Sequence, residues 1–174
     1  QKDSLMAGGL SAKEIRELEK LLPTVSHLCQ QLSSFGIKES IVQPDFHDNN
    51  ILIDKKTHNI TFIDLGEIAI SHPFFSLISC LQQARRHHAL THEDDTYQKL
   101  MDACLNNFTI FTTKKELLEA FAITHQLHYI YKVLAYHRLM LACDKTDIHL
   151  FYGHGRLSRP LQEFMTVCKQ IDKQ

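Results

Sequence analysis

Most of the chain repeats its hydrophobic residues at the three- and four-residue spacing of an amphipathic helix. One short region breaks this pattern, because there two apolar runs flank a polar stretch. Helical spacing extends over residues 15–32, 74–88, 94–108, 117–141 and 161–171. The pattern therefore predicts a mainly α protein that contains one small β element.

Two helix starts are marked by capping boxes, in which a hydroxyl residue precedes a glutamate by three positions. Ser11 precedes Glu14 in this way, and Thr113 precedes Glu116. Each box pairs backbone N–H groups that the first turn of a helix leaves without a partner. We therefore expect one helix to begin near residue 11 and another near residue 113.

Proline and glycine divide the first part of the chain. Pro23 predicts a break or a new first turn within the first helix, since proline has no backbone N–H to donate. Gly36 predicts the end of that helical stretch. Residues 1–10 show no helical period, so we expect a disordered lead-in there and the folded lobe over residues 11–174.

The small β element is predicted to be a hairpin. Apolar runs at residues 51–53 and 60–63 flank the polar residues 54–59, a pattern typical of two strands joined by a longer loop. Pro44 favours extended backbone at the residue before it, ahead of the first strand. The predicted fold class is therefore mainly α with a small β-hairpin.

The composition is that of one ordinary globular domain, or of a piece of a larger one. Of 174 residues, 44% are hydrophobic and 22% are charged, and the net charge is −1. This charge balance argues against nucleic acid as a partner, since nucleic-acid binding relies on an excess of basic residues. The run of about 18 apolar residues that a membrane span needs is absent from the sequence, so no membrane partner is expected.

The cysteines and histidines do not predict a metal or disulfide framework. The five cysteines are odd in number and widely spaced, and no C-x-x-C occurs, so a reducing cytoplasm is the expected location. Twelve histidines raise the question of a transition metal. Neither His125 with His128 nor the cluster at residues 87–92 has an obvious carboxylate or cysteine at ligand spacing, and we interpret them as surface and packing histidines.

Polar side chains concentrate where the two strands of the predicted hairpin meet the rest of the chain. Asp45 and Asn50 stand before the first strand, and Asp64 follows the second. Because a hairpin brings its two flanking segments together, we expect the three side chains to share one pocket. Their oxygen atoms suit Mg²⁺, which binds one or two protein carboxylates together with substrate phosphates.

The spacing of these residues is more specific than their composition. Asn50 lies 5 positions after Asp45, and Asp64 begins an Asp-x-Gly sequence at the end of the hairpin. In phosphoryl transfer, an aspartate accepts the proton of the attacking hydroxyl, while an asparagine and a second aspartate at this spacing hold metal. The plainer alternative is that aspartate and asparagine only form turns at hairpin ends. Because both halves of the arrangement occur in register, we favour phosphoryl transfer.

Three stretches extend this arrangement into longer motifs. Residues 43–54 read Gln-Pro-Asp-Phe-His-Asp-Asn-Asn-Ile-Leu-Ile-Asp, residues 63–67 read Ile-Asp-Leu-Gly-Glu, and residues 72–77 read His-Pro-Phe-Phe-Ser-Leu. Together they resemble the aminoglycoside phosphotransferase/choline kinase family, which has a protein-kinase-like α+β fold and phosphorylates small-molecule hydroxyls. The motifs cover about residues 41–77, and the later helices fit the family's helical C-terminal lobe in a general way.

The resemblance implies roles for individual residues. By position, Asp45 resembles the catalytic base, and Asn50 and Asp64 resemble the residues that bind Mg²⁺ and the nucleotide. His47 matches a motif histidine for which a structural role in the loop is implied. The implied cofactors are ATP and Mg²⁺, and the implied acceptor is a small-molecule hydroxyl whose identity the sequence does not specify.

Two positions depart from the family's usual pattern. Gln43 and Pro44 stand where the family usually has His-Gly before the catalytic aspartate. Glutamine can still form hydrogen bonds to the loop, whereas proline removes a backbone donor. Ser76 stands where the family often has an aspartate near the start of the next helix, so we expect one loop-anchoring carboxylate to be missing.

A third departure concerns the family's N-terminal lobe, which supplies a phosphate-covering loop and a strand lysine paired with a helix glutamate. Only 44 residues precede Asp45, and they read as helix, without a Gly-rich loop of that kind or an initiator Met. A five-stranded lobe does not fit into them. We therefore expect this chain to be a C-terminal lobe whose N-terminal lobe is absent, and to be inactive by itself.

Two functions from different classes remain open. One is a small-molecule kinase of which this chain is a fragment, and the alternative is a non-catalytic kinase-like module that binds a ligand or partner. The departures from the family pattern favour the module slightly, whereas the intact Asp45, Asn50 and Asp64 favour the kinase strongly. A metal-dependent phosphohydrolase would also use such carboxylates, but its motif spacings are not found here.

Overall fold

The structure is a computed structural model that describes residues 2–142 and 155–171. By its internal contacts the chain divides into two compact units. The terminal unit comprises residues 1–32 and 125–174, and the central unit comprises residues 33–124. Asp45, Asn50 and Asp64 therefore all belong to the central unit.

The described residues are mainly helical, which confirms the predicted helical content. The helices are α1 (Lys2–Ala7), α2 (Ala12–Ser34), α3 (Phe74–His87), α4 (Asp95–Asn106), α5 (Lys114–Ala142) and α6 (Ser158–Ile171). Helices α2 and α5 each contribute residues to both units. None of the helices in this part of the chain is long and apolar enough to cross a lipid bilayer.

The predicted hairpin is confirmed, with β2 (Ile51–Ile53) paired antiparallel to β3 (Ile60–Phe62). Its loop closes on Asp54, whose Oδ1 accepts the backbone N–H groups of Lys56 at 2.8 Å and Thr57 at 2.7 Å. A carboxylate that binds backbone N–H groups two and three residues ahead is a local turn signal. The hairpin can therefore be predicted from the sequence.

A second small sheet was not predicted. Strand β1 (Ser40–Val42) pairs antiparallel with β4 (Ala69–Ser71), with Ile41 opposite Ile70. The prediction of a single β element is therefore wrong. Strands of 3 residues that lie far apart in the chain have neither a period nor a connecting turn that would reveal their pairing.

Both capping boxes are confirmed. Glu14 Oε2 accepts the Ser11 backbone N–H at 2.7 Å, and Ser11 Oγ accepts the Glu14 backbone N–H at 3.2 Å. Thr113 and Glu116 form the same reciprocal pair at 3.1 and 3.3 Å. The two boxes satisfy backbone donors directly before α2 and α5, which explains where these helices begin.

Helix α2 continues through Pro23, so the predicted break is wrong. Buried Ile15 lies before the proline, and buried Leu28 and Leu32 lie after it. Burial on both sides favours one continuous helix, because most helical stability in proteins comes from packing of the apolar face. The hydrogen bond that proline cannot donate does not outweigh this packing.

Residues 2–10 also differ from the disordered lead-in that the sequence predicted. Residues 2–7 form α1, and the Gly8 backbone N–H donates to the Ser4 carbonyl at 2.9 Å. Leu10 is buried, and Leu5 packs against the cluster to which Leu10 belongs. Leu5 and Leu10 order this segment by packing against residues that are distant in the sequence. The hydrophobic pattern within the segment cannot reveal such contacts.

The terminal unit has its own hydrophobic cluster, formed by Leu10, Ile15, Val133, Met140, Leu157 and Leu161. The predicted apolar stripe of α6 is buried at Leu161, Phe164, Met165 and Cys168, while the side chain of Ile171 lies outside the described residues. Among the described residues, Cys29, Cys80, Cys104 and Cys168 are not disulfide-bonded to one another, and Cys143 lies outside the described residues.

The predicted stripe of α5 is only partly correct. Leu117 and Leu127 are buried, but Leu134 and Leu141 are 56% and 74% exposed. In the last part of the helix, buried positions include Val133 and Met140 instead. Helix α5 carries apolar residues on all of its sides, so the helical period alone does not show which of them faces the core.

The core of the central unit is built around Phe74, the first residue of α3. Its ring is fully buried and meets Phe108 edge-on, with a centroid distance of 5.0 Å, and Phe121 at 6.0 Å. The imidazole of His72 lies edge-on to the same ring at 4.8 Å. This aromatic cluster fixes the start of α3, two residues before Ser76.

His72 makes the stability of the central unit sensitive to acid. Burial lowers the pKa of His72 from 6.5 to about 4, and its Nδ1 accepts the Phe74 backbone N–H at 3.3 Å. The unfolded chain binds the proton more readily, so stability is expected to fall as pH drops from about 6.5 through 4. Urea unfolding over this range should show a weaker pH dependence for His72→Asn, which keeps an acceptor but does not titrate. The matched variant His58→Asn, at an exposed histidine, should behave like the wild type.

Candidate functional site

Asp45 and Asn50 lie on one tight loop that ends in a short 3-10 turn (Asp48–Asn50). The Asn50 side-chain Nδ2 donates to the Asp45 carbonyl at 2.9 Å, and the Asn50 backbone N–H donates to the His47 carbonyl at 3.0 Å. These two bonds close the loop on itself. They use the amide nitrogen of Asn50 and leave its Oδ1 as the group that can bind a cation.

Asp64 is brought to the same end of the hairpin. The Ile63 backbone N–H donates to the Asn50 carbonyl at 3.0 Å, so the residue before Asp64 is bonded directly to the loop. Asp64 has a φ of 57°, in the left-handed region that few residues other than glycine adopt. The carboxylates of Asp45 and Asp64 belong to exposed residues, so both are open to a ligand.

Gln43 links the two segments through its side chain. Its Nε2 donates to the Asp64 backbone carbonyl, although Gln43 itself is buried. The sequence predicts that a glutamine at this position can still bond the loop, but the side-chain bond that forms reaches Asp64, which follows β3. The bond joins the residue two positions before Asp45 to the residue that carries the second carboxylate.

Ser76 and Ser79, on one face of α3, hold the backbone just before Asp45. Ser76 Oγ accepts the Gln43 backbone N–H at 2.9 Å and donates to the Gln43 carbonyl at 3.2 Å. Ser79 Oγ donates to the Pro44 carbonyl at 2.6 Å. The sequence predicts that a loop-anchoring carboxylate is missing at position 76, and the Ser76 hydroxyl holds the backbone of Gln43 there instead. Ser79 was not recognised in the sequence, because nothing local distinguishes it from other helical serines.

Replacement of Ser76 tests this anchor. Ser76→Ala is expected to destabilise the central unit by about 1–3 kcal/mol, because both backbone groups of Gln43 lose their partner in a partly buried place. Ser76→Asp should also destabilise, since an ionised carboxylate cannot donate to the Gln43 carbonyl. Urea unfolding measures both effects. Ser40→Ala, at an exposed serine of β1, is the control, and equal stability of all four proteins would contradict the anchoring role.

A further contact ties the loop to the other end of α3. His87 Nδ1 lies 2.9 Å from Asp48 Oδ2, and the hydrogen bond from His87 keeps the pKa of Asp48 below its usual value. Sequence reasoning placed His87 in a surface cluster and gave Asp48 no role. Because the two residues lie on separate elements, only the fold brings them together.

The donor chemistry at the end of the hairpin fits Mg²⁺. Asn50 Oδ1 and the Asp64 carboxylate are oxygen donors, and Mg²⁺ binds through few protein ligands when substrate phosphates supply the others. Among residues 2–142 and 155–171, no cluster of three or more His, Cys, Asp or Glu side chains is arranged to hold a metal.

The strands next to these residues carry an exposed apolar surface. Leu52, Ile53, Ile60 and Phe62 of the hairpin are 51 to 61% exposed, and Ile63 is 38% exposed. The ring of Phe62 contacts Phe46 of the loop at a centroid distance of 5.7 Å. In the antiparallel register, Ile53, Ile60 and Phe62 lie on one face of this two-stranded sheet and Leu52 lies on the other, so exposed apolar side chains occur on both faces. Exposed apolar surface commonly marks a binding surface.

Searches with this chain against family profiles, curated proteins and solved structures find no match.

Proposed function

We propose that this chain is the C-terminal lobe of an ATP- and Mg²⁺-dependent phosphotransferase of the aminoglycoside phosphotransferase/choline kinase type. The observation that carries the proposal is the joint geometry of the three predicted residues. Asn50 bonds to the Asp45 carbonyl, and Ile63, next to Asp64, bonds to Asn50. These bonds bring the segments that carry Asp45, Asn50 and Asp64 to the same end of the hairpin. Turn formation alone does not require the spacing of these three residues.

In the proposed reaction, the hydroxyl oxygen of a small molecule attacks the γ-phosphorus of ATP. The new O–P bond forms as the bond to the β,γ-bridging oxygen breaks, and ADP leaves with that electron pair. Asp45 accepts the proton that the hydroxyl loses. A base near the attacking oxygen typically accelerates such a step by about 10²–10⁴-fold.

Asn50 and Asp64 would hold Mg²⁺ against the phosphates, and the ion would neutralise charge on them. Hydrogen bonds within the chain hold the backbone at Asp64 and directly before Asp45. Gln43 fixes the backbone of Asp64, while Ser76 and Ser79 fix the backbone directly before Asp45. Partly buried hydrogen bonds thus hold the backbone before the proposed base and the backbone of one proposed metal ligand, Asp64.

The exposed apolar strands are the proposed face for the adenine of ATP and for an N-terminal lobe of the same protein. Their side chains lie on the hairpin that carries the polar end, so a nucleotide bound there has an apolar and a polar partner. We propose the reducing cytoplasm as the site of action and a small molecule as the acceptor, with neither nucleic acid nor a membrane as a partner.

The alternative function is a non-catalytic kinase-like module, which the departures at Gln43–Pro44 and Ser76 favour. The contacts of these residues lessen that argument, since they anchor the loop. Turnover decides between the two functions. A protein in which a nucleotide-covering lobe precedes this chain should phosphorylate one or more of a panel of amino-alcohol, sugar and aminoglycoside acceptors. If it neither binds Mg·ATP nor turns it over, the enzyme proposal is refuted.

Metal binding can be tested on the 174-residue chain itself. In ¹H–¹⁵N spectra, Mn²⁺ with ADP is expected to broaden amide signals selectively around residues 50 and 64. Asp64→Asn should remove the selective broadening, because it removes the charged ligand. Asp95→Asn, at an exposed carboxylate of α4 in the same unit, is the matched control. Broadening that is the same in wild type and Asp64→Asn would refute the metal assignment.

The chain alone is expected to show no phosphotransfer. Its nucleotide face is open, so no part of the central unit described here closes over bound phosphates and excludes water. The measurement is transfer of labelled phosphate from ATP to the same acceptor panel, with a longer protein as the positive control. Robust transfer by these 174 residues would contradict this expectation.

A further inference from the structure

His47 lies against the proposed base rather than only inside the loop. Its Nε2 is 3.3 Å from Asp45 Oδ2 and 3.5 Å from Asn50 Nδ2. The histidine side chain is 12% exposed, whereas that of Asp45 is 61% exposed. A nearly buried ring therefore meets an exposed carboxylate at one defined nitrogen.

The neighbours of the ring determine where its proton lies. Asp45 Oδ2 accepts hydrogen bonds and Asn50 Nδ2 donates them, and the shorter of the two contacts of His47 Nε2 is to the carboxylate. A proton on Nε2 would face the carboxylate at 3.3 Å, whereas an unprotonated Nε2 would accept at the longer distance of 3.5 Å from Asn50 Nδ2, which also donates to the Asp45 carbonyl. In the other tautomer, the Nε2 lone pair would face the carboxylate and repel it.

The second ring nitrogen supports the same tautomer. His47 Nδ1 is buried and has no hydrogen-bond partner within the described residues. A proton on Nδ1 would leave a buried donor without an acceptor, in addition to the repulsion at Nε2. Both ends of the ring thus favour the form protonated on Nε2.

We propose that His47 is a positioning residue for Asp45: its Nε2–H holds the carboxylate in the orientation that receives the proton of the acceptor hydroxyl. The role in catalysis rests on the proposed function, whereas the contact between His47 Nε2 and Asp45 Oδ2 does not. An exposed carboxylate samples several rotamers, and one charge-assisted hydrogen bond restricts it to fewer. The gain is in orientation of the reacting groups, on which the rate of proton transfer depends.

The tautomer can be measured on the chain without any activity. Long-range ¹H–¹⁵N correlation of the imidazole signals at neutral pH should show His47 protonated on Nε2. In Asp45→Ala the preference for this tautomer should fall by about tenfold or more, the effect of losing a hydrogen bond to a charged group. The exposed His58 is an internal control whose signals should not respond. A His47 protonated on Nδ1, or one that is indifferent to Asp45→Ala, would overturn the proposal.

Kinetics of a phosphotransfer-competent protein test the consequence. His47→Leu should lower kcat by about 10–100-fold with little change in the KM for ATP, because orientation of the base changes and nucleotide contacts do not. His47→Gln, which retains a donor, should recover part of that loss. An unchanged kcat in His47→Leu would overturn the positioning role. Absence of turnover in the wild type would refute the proposed function instead, and the tautomer measurement would still decide whether His47 donates to Asp45.

Discussion

Asp45→Ala is expected to abolish phosphotransfer while leaving the fold intact. In a protein that carries a nucleotide-covering lobe ahead of this chain, kcat should fall by about 10²–10⁴-fold, the usual contribution of a general base. The side chain of Asp45 is 61% exposed, and its polar contact is with His47. The loop is closed mainly by the Asp45 backbone carbonyl and by Asn50, which the substitution leaves in place.

Two measurements separate loss of the base from loss of structure. The ¹H–¹⁵N spectrum of the variant should change only near the loop, and its urea unfolding should resemble that of the wild type. Asp95→Ala removes a carboxylate that is 94% exposed from the same unit and should retain full activity. An active Asp45→Ala variant would show that another group accepts the proton, and would refute the assignment of the base.

Phe74→Ala should be among the most destabilising substitutions in the central unit. A fully buried phenylalanine replaced by alanine loses about 3–5 kcal/mol, because the burial of the ring is lost and a cavity remains. The ring contacts Phe108, Phe121 and His72, which come from three separate segments of the unit. Its removal should therefore weaken the whole unit rather than one helix.

Urea unfolding followed through amide signals of residues 33–124 measures this effect. Phe62→Ala, at a half-exposed phenylalanine of the hairpin, is the matched control and should lose only a small part of that stability. The Phe74 variant should also loosen the loop, because Ser76, two residues later, anchors Gln43. Equal stability of the Phe74 and Phe62 variants would contradict the description of this core.

The features that rest on local chemistry can be predicted from the sequence. Capping boxes pair groups three residues apart, and the hairpin loop is closed by Asp54 within its own turn. Asp45 and Asn50 also lie within one loop, and the hydrogen bond between them joins residues that are close in the sequence. Helical periods, helix caps and turns can therefore be predicted from the sequence, because every interaction that defines them spans only a few residues.

The contacts by which distant segments support the site are visible only in the folded chain. Ser76 and Ser79 reach residues more than thirty positions earlier, and His87 reaches Asp48 across a similar distance. The pairing of β1 with β4 and the continuity of α2 through Pro23 are likewise visible only in the fold. Each depends on burial or hydrogen bonding between separate elements, for which a local pattern carries no signal. The residues proposed for the chemistry were thus visible in the sequence, whereas the side chains that hold them became visible only in the fold.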